Sequence, residues 1–150
     1  MDNQAYRISV SRMIAGKARQ AFRVMEEIDR FPEFMPNVNK LTILEDSGNR
    51  KVAEWDTCID DTPLNWIEEG TYDADNLTIS FHAREGVFAR FDGCWRVIPE
   101  TSGCKIEFEL VYEIGLPEIE EMIAPLLHER LVANVESMLT AIASRTKTSV

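Results

Sequence analysis

Polar and apolar positions alternate from the start of the chain. Tyr6, Ile8 and Val10 fall on one side of residues 6–13, and Arg7, Ser9 and Ser11 on the other. This period of two predicts a half-buried strand. The period then changes. Ala18, Ala21, Phe22, Met25 and Ile28 recur every three or four residues, which predicts an amphipathic helix of about three turns. Phe31-Pro32-Glu33-Phe34-Met35-Pro36 follows. Each proline turns the residue before it away from helical geometry, so this stretch is a turn or a one-turn helix.

From Lys40 the period returns to two and holds for about 70 residues. Strands are predicted at 41–45, 51–60, 64–72, 77–81, 91–97 and 104–114. Ala53, Trp55, Thr57 and Ile59 share one face, with Glu54, Asp56 and Asp60 on the other. Leu64, Trp66, Glu68, Gly70 and Tyr72 share another face. Asp46-Ser47-Gly48-Asn49, Asp60-Asp61-Thr62-Pro63 and Asp73-Ala74-Asp75-Asn76 read as turns, and Arg84-Glu85-Gly86 as a loop. Strands joined this closely make an antiparallel meander. From Pro117 the pattern is helical to the end, with a broad apolar stripe through Ile119, Met122, Leu127, Leu131, Val135 and Ile142. Pro125 predicts a kink or restart, and 146–150 read as a frayed end.

The fold class that follows is α+β. About six to seven strands form a curved antiparallel sheet around one long C-terminal helix, with one or two short helices after the first strand. Residues 1–150 read as a single domain. The sheet's apolar face needs a cover, and only the last helix has enough apolar surface to supply it. A curved sheet is wider than a helix of ~10 Å. A gap between them is expected, and it is the natural place for an apolar guest.

Composition narrows the partners. The net charge is −10, and no basic patch offsets it, which argues against nucleic acid and anionic membranes. The three cysteines have no disulfide framework or CxxC spacing, and there are only two histidines. No metal and no cofactor are expected. Neither a signal peptide nor a membrane span is expected, so the cytoplasm is the default location.

Several motifs, in their order and spacing, resemble a known superfamily. They are Asp29-Arg30-Phe31-Pro32-Glu33-Phe34-Met35-Pro36, Leu44-Glu45 before Gly48, and Gly86-Val87-Phe88 leading into Phe91-Asp92-Gly93-Cys94-Trp95-Arg96-Val97. Cys104-Lys105-Ile106-Glu107-Phe108-Glu109-Leu110-Val111-Tyr112-Glu113 and the Pro125 helix with Asn134 complete the set. The chain is similar, over about residues 6–145, to the START-like, helix-grip (SRPBCC) superfamily. The similar branch holds polyketide cyclase/dehydrases and coenzyme Q-binding START proteins. The resemblance implies a cavity between sheet and C-terminal helix. It also implies one of two uses. Aromatase/cyclases promote aldol closure and dehydration of a polyketide, which an acyl carrier protein would deliver. Coenzyme Q-binding proteins carry a quinone or lipid and do no chemistry. The aromatase pattern places a serine and an arginine after the tryptophan that matches Trp66. Glu68 and Gly70 stand there instead.

The candidate site residues lie on the predicted inner face. Trp66, Phe81, Phe88, Phe91, Trp95 and Tyr112 from the sheet are expected to line the cavity, with Phe34, Leu127 and Leu131 from the helical segments. Trp55 could line it or fill the core. Glu68 is the candidate acid or base, because an inward carboxylate is costly unless paired or neutral. A one-residue slip would bring Glu69 inward instead, and the pattern leaves both open. Tyr72 could donate its hydroxyl to a ligand carbonyl. His128 could dip inward from the helix, whereas His82, Arg90 and Arg96 read as outer-face residues. Three uses survive: a cyclase or dehydratase, a carrier, and a protein-interaction module.

Overall fold

In the computed structural model, which describes residues 5–59, 62–86, 88–115 and 117–148, the alternating segments become one seven-stranded antiparallel sheet. The elements are β1 (Ala5–Ile14), α1 (Ala18–Glu26), a 3-10 turn (Ile28–Arg30), α2 (Phe31–Phe34), β2 (Val38–Asp46), β3 (Arg50–Ile59), β4 (Thr62–Asp73), β5 (Thr78–Gly86), β6 (Phe88–Glu100), β7 (Gly103–Ile114) and α3 (Pro117–Thr148). The expected turn at Asp60-Asp61, the Val87 of the resemblance motif, and Ser149 and Val150 of the expected frayed end lie outside the described residues. So do the side chains of Ile59, Thr62 and Ile119.

The strand order is β1-β7-β6-β5-β4-β3-β2. β2 to β7 form the expected meander. β1 then joins the far side of β7, from Ala5↔Glu113 to Ile14↔Cys104. This is the helix-grip arrangement: α1 and α2 carry the chain from one sheet edge to the other, and α3 packs on the inner face. That face holds Ile106, Phe108, Leu110 and Tyr112 of β7, all buried. α3 answers with Leu131, Val135, Leu139 and Ile142, spaced by four, four and three, and also buried. Each such side chain contributes roughly 2 kcal/mol on leaving water.

Four local expectations change. Residues 84–86 are not a loop but the end of β5. Beyond a bulge at Ile67/Glu68, Glu85 pairs with Ile67 and Gly86 with Trp66. Gly86 has φ +144°, and a Cβ there would come within 2.6 Å of the Trp66 Cβ. The glycine is what lets the strand pass so close. At Pro125 the helix does not restart: α3 is one continuous helix. Both Pro125 and Glu121, whose carbonyl loses its partner, are exposed, so water can satisfy the freed group. Met122 does not join the buried stripe. It is 81% exposed, and the stripe is buried at Ala124 and from Leu131 onward. Thr146 is buried rather than frayed. Its hydroxyl donates to the Ile142 carbonyl at 2.7 Å, and its methyl occupies the space above Gly16.

Candidate functional site

A cleft opens between the sheet and the middle of α3. About 50 Å³ of it can hold the centre of a water molecule, within about 590 Å³ of atom-free space that includes open solvent. The expected gap therefore exists, and it is slim. Its sheet wall is aromatic, with Trp55, Trp66, Phe81, Phe88, Phe91, Trp95 and Phe108. Its helix wall is Leu131, Val135 and Met138, with Asn134 among them, and Val38 of β2 completes the lining.

Cross-strand pairing builds the aromatic wall. Trp55 and Trp66 face each other on β3 and β4. Their rings stack at 5.7 Å and are 8° from parallel. Phe91 leans on Trp66 at 5.4 Å, and Phe88 on Phe91 at 4.8 Å. Such pairs contribute about 0.5–1.5 kcal/mol beyond burial and fix the rings in place. The Trp55 Nε1 is buried with no hydrogen-bond partner among the described residues.

Glu68 is the titratable group on this wall. Alternation along β4 carries it inward beside Trp66, whose Nε1 donates to its Oε1 at 3.1 Å. Glu69 faces the other way and accepts from Arg50 at 2.9 Å. Burial pushes the Glu68 carboxyl from 4.5 to about 8, and the single indole donor offsets only part of that. Glu68 is partly buried, and it lines the cleft. At neutral pH it is mainly a neutral acid, able to donate one hydrogen bond and accept others.

The structure brings Trp66, Glu68, Phe81, Phe88, Phe91, Trp95 and Leu131 together on the cleft. Tyr72, Tyr112, Phe34 and Leu127 are not among the residues that line it. Tyr72 shares a strand with Glu68 but sits four positions further along β4, beneath the Lys51 ammonium at 4.9 Å. Burial, and then the nearby Glu68 charge, hold its phenol well above the usual range. Tyr112 spends its hydroxyl on His128 Nδ1 at 2.9 Å. Burial pushes this phenol to about 12, so the hydroxyl stays protonated. Phe34 packs edge-on against Phe31 at 5.9 Å, with the Arg145 guanidinium 5.3 Å from its ring. Leu127 is a partly buried member of the core.

Sequence reasoning missed Val38, Thr57, Phe108, Leu110, Asn134, Val135 and Met138 as wall residues. Thr57 shares the inner face with Trp55, and its hydroxyl donates to the Leu64 carbonyl at 2.6 Å. Asn134 and Met138 follow Leu131 at helical spacing, so the signal was present but polar Asn134 did not read as lining. On the outer face, His82, Arg90 and Arg96 are exposed. Arg90 pairs with Asp92 at 2.8 Å and Arg96 with Glu107 at 3.5 Å. Among the described residues, no three His, Cys, Asp or Glu side chains converge as a metal site would require. No helix among them is long and apolar enough to cross a membrane.

Comparison with known proteins agrees with this architecture. The Thermus thermophilus protein TTHA0849 superposes with a TM-score of 0.90 at 24% identity, covering 96% of this chain and 99% of that one. The Zhui aromatase/cyclase from a Streptomyces species superposes with a TM-score of 0.85 at 13% identity, covering 96% and 94%. At these identities the likeness is one of fold. Among curated proteins, the ribosome association toxin RatA of Vibrio cholerae is 26% identical over 139 residues, 89% of this chain and 92% of its own length. The profile of the family described as polyketide cyclase / dehydrase and lipid transport matches residues 14–139, and the chain belongs to that family.

Proposed function

We propose that the chain acts as a single ligand-binding domain that takes an apolar, carbonyl-bearing molecule into the cleft and promotes its cyclisation or dehydration through Glu68. The observation that carries this reading is a near-neutral carboxyl facing an otherwise aromatic and aliphatic cavity. A pure carrier of a quinone or lipid has no need of an inward acid that costs folding energy. As a neutral acid, Glu68 would hold and polarise a ligand carbonyl. Its ionised fraction would remove an adjacent carbon-bound proton and so form the enol that attacks. The aromatic wall would hold the reacting carbons at near-attack distance. A ring-sized guest widens the slim cleft, and Met138 is the wall residue that yields most easily. The partner on this reading is an acyl carrier protein bearing a polyketide chain, and the compartment is the cytoplasm.

The test is turnover of a poly-β-ketone thioester surrogate. Glu68→Gln should lower the cyclisation rate on the order of 10²-fold while binding persists. Equal rates and an identical product pattern would leave only the carrier role.

The full-length alignment with proteins named ribosome association toxins favours a second reading, in which the fold docks on a ribosomal subunit. The −10 net charge would direct such docking to basic ribosomal protein rather than to bare RNA. Sucrose-gradient sedimentation with ribosomal subunits decides it: co-migration at low salt supports docking, and protein remaining at the top of the gradient ends it.

A further inference from the structure

One more polar group lies in the helix wall. Asn134 lines the cleft with Leu131, Val135 and Met138. Its Oδ1 accepts a hydrogen bond from Asn37 Nδ2 at 2.8 Å. Asn37 immediately precedes β2, and its own carbonyl accepts the Cys58 amide at 2.9 Å, so the donor is tied to the sheet. With its oxygen engaged, Asn134 turns Nδ2 toward Met138, whose sulfur is 3.8 Å away. Thioether sulfur is a weak acceptor. Reversing both amides would set the Asn134 oxygen against that sulfur's lone pairs, so the sulfur selects the orientation described.

An amide N–H inside an apolar cleft, with only a sulfur for company, gains by meeting an oxygen. We infer that Asn134, oriented by Asn37, is a ligand-positioning residue that donates a hydrogen bond to an acceptor oxygen of the guest from the wall opposite Glu68. The inference rests on reading the cleft as a ligand site and specifies what it takes: an apolar body bearing an oxygen acceptor, in preference to a hydrocarbon of the same shape. Asn37 is the positioning residue. It never touches the guest, yet it decides which end of the Asn134 amide the guest meets.

The experiment compares 2-acetylnaphthalene with 2-ethylnaphthalene, which are close in shape and differ in one acceptor oxygen. Binding is followed by quenching of the tryptophans on the cleft wall. The readout is the ratio of the two dissociation constants. In Asn134→Leu the preference for the ketone should fall about fivefold, the value of one net hydrogen bond. In Asn37→Asp the new carboxylate only accepts, so Asn134 must turn its NH₂ toward it and present its carbonyl to the cleft. The ketone preference should fall at least as far, and 1-(2-naphthyl)ethanol, which can donate, should overtake the ketone. The hydrocarbon affinity should hold in both variants, which reports an intact cleft. Should Asn134→Leu lose the hydrocarbon as well, the Asn37→Asp ratio decides. An unchanged ratio in Asn134→Leu, or in Asn37→Asp with the hydrocarbon still bound, overturns the inference while leaving the Glu68 chemistry standing. Failure of the wild type to bind either naphthalene overturns this inference and the cleft reading together.

Discussion

At the β1–β7 edge, Tyr6 and Tyr112 stack at 5.3 Å and each bonds its hydroxyl to α3, Tyr6 donating to Glu120 at 2.9 Å and Tyr112 sharing a hydrogen bond with His128 Nδ1 at 2.9 Å. Across the sheet, Trp55 and Trp66 stack in much the same way. There one indole N–H meets the acid of the cleft, and the other meets no partner among the described residues. Both clusters are aromatic, both adjoin titratable groups, and both face α3. They differ in polar accounting. The tyrosine cluster pairs its hydroxyls with the helix and so fastens it. The tryptophan cluster leaves a buried donor empty, at a cost of about 1–3 kcal/mol, and a carboxyl with a single donor. A folded chain tolerates such costs where something other than stability uses the groups. Polar satisfaction, rather than aromatic content, separates the fastening from the site.

The largest test of this contrast is at the fastening. Tyr112→Ala should cost about 4 kcal/mol in urea unfolding, because it leaves a large void in the core and an unpaired His128. A loss below about 1 kcal/mol would remove the cluster's structural role. Next comes Glu68→Gln, read as stability against pH. The carboxyl titrates near 4.5 when unfolded and near 8 when folded. Below pH 4.5 both states are protonated and the wild type has its full stability. As pH rises toward 8 the unfolded chain ionises first, so the wild type weakens. Glu68→Gln should flatten that slope and be the more stable protein at about pH 7 by roughly 3 kcal/mol, with little difference at about pH 4. Thermal melts across this range would show it, and parallel curves would return Glu68 to solvent. The smallest effect sharpens the boundary. Tyr112→Phe should cost about 1 kcal/mol, the value of its bond to His128, and leave naphthalene binding in the cleft unchanged.

Much of this was legible in the pattern of the chain. Strict alternation through Cys104, Ile106, Phe108, Leu110 and Tyr112 set the inner face of β7, and the four-residue spacing of Leu131 and Val135 set the buried face of α3. Adjacent glutamates defeated the pattern at Glu68 and Glu69. A period of two cannot choose between neighbours. Arg50 and Arg84 choose, by holding Glu69 on the outer face. Tyr72 and Tyr112 lie on the correct face but at the wrong height along their strands, and alternation carries no information about height. Asn134 was hidden because a lone polar residue in an apolar helical stripe looks like an edge. Only its bond to Asn37, 97 residues away in sequence, turns it inward with purpose.

The pairing of β1 with β7 has a kinetic consequence. β1 must wait for a partner some ninety or more positions later, since Ala5 meets Glu113 and Ile14 meets Cys104. Closing so long a loop is slow. The aromatic surface of the meander stays bare until α3, which follows it in the chain, arrives to shield it. During that interval a nascent chain is prone to association, and it is α3, emerging after β7, that ends the exposure.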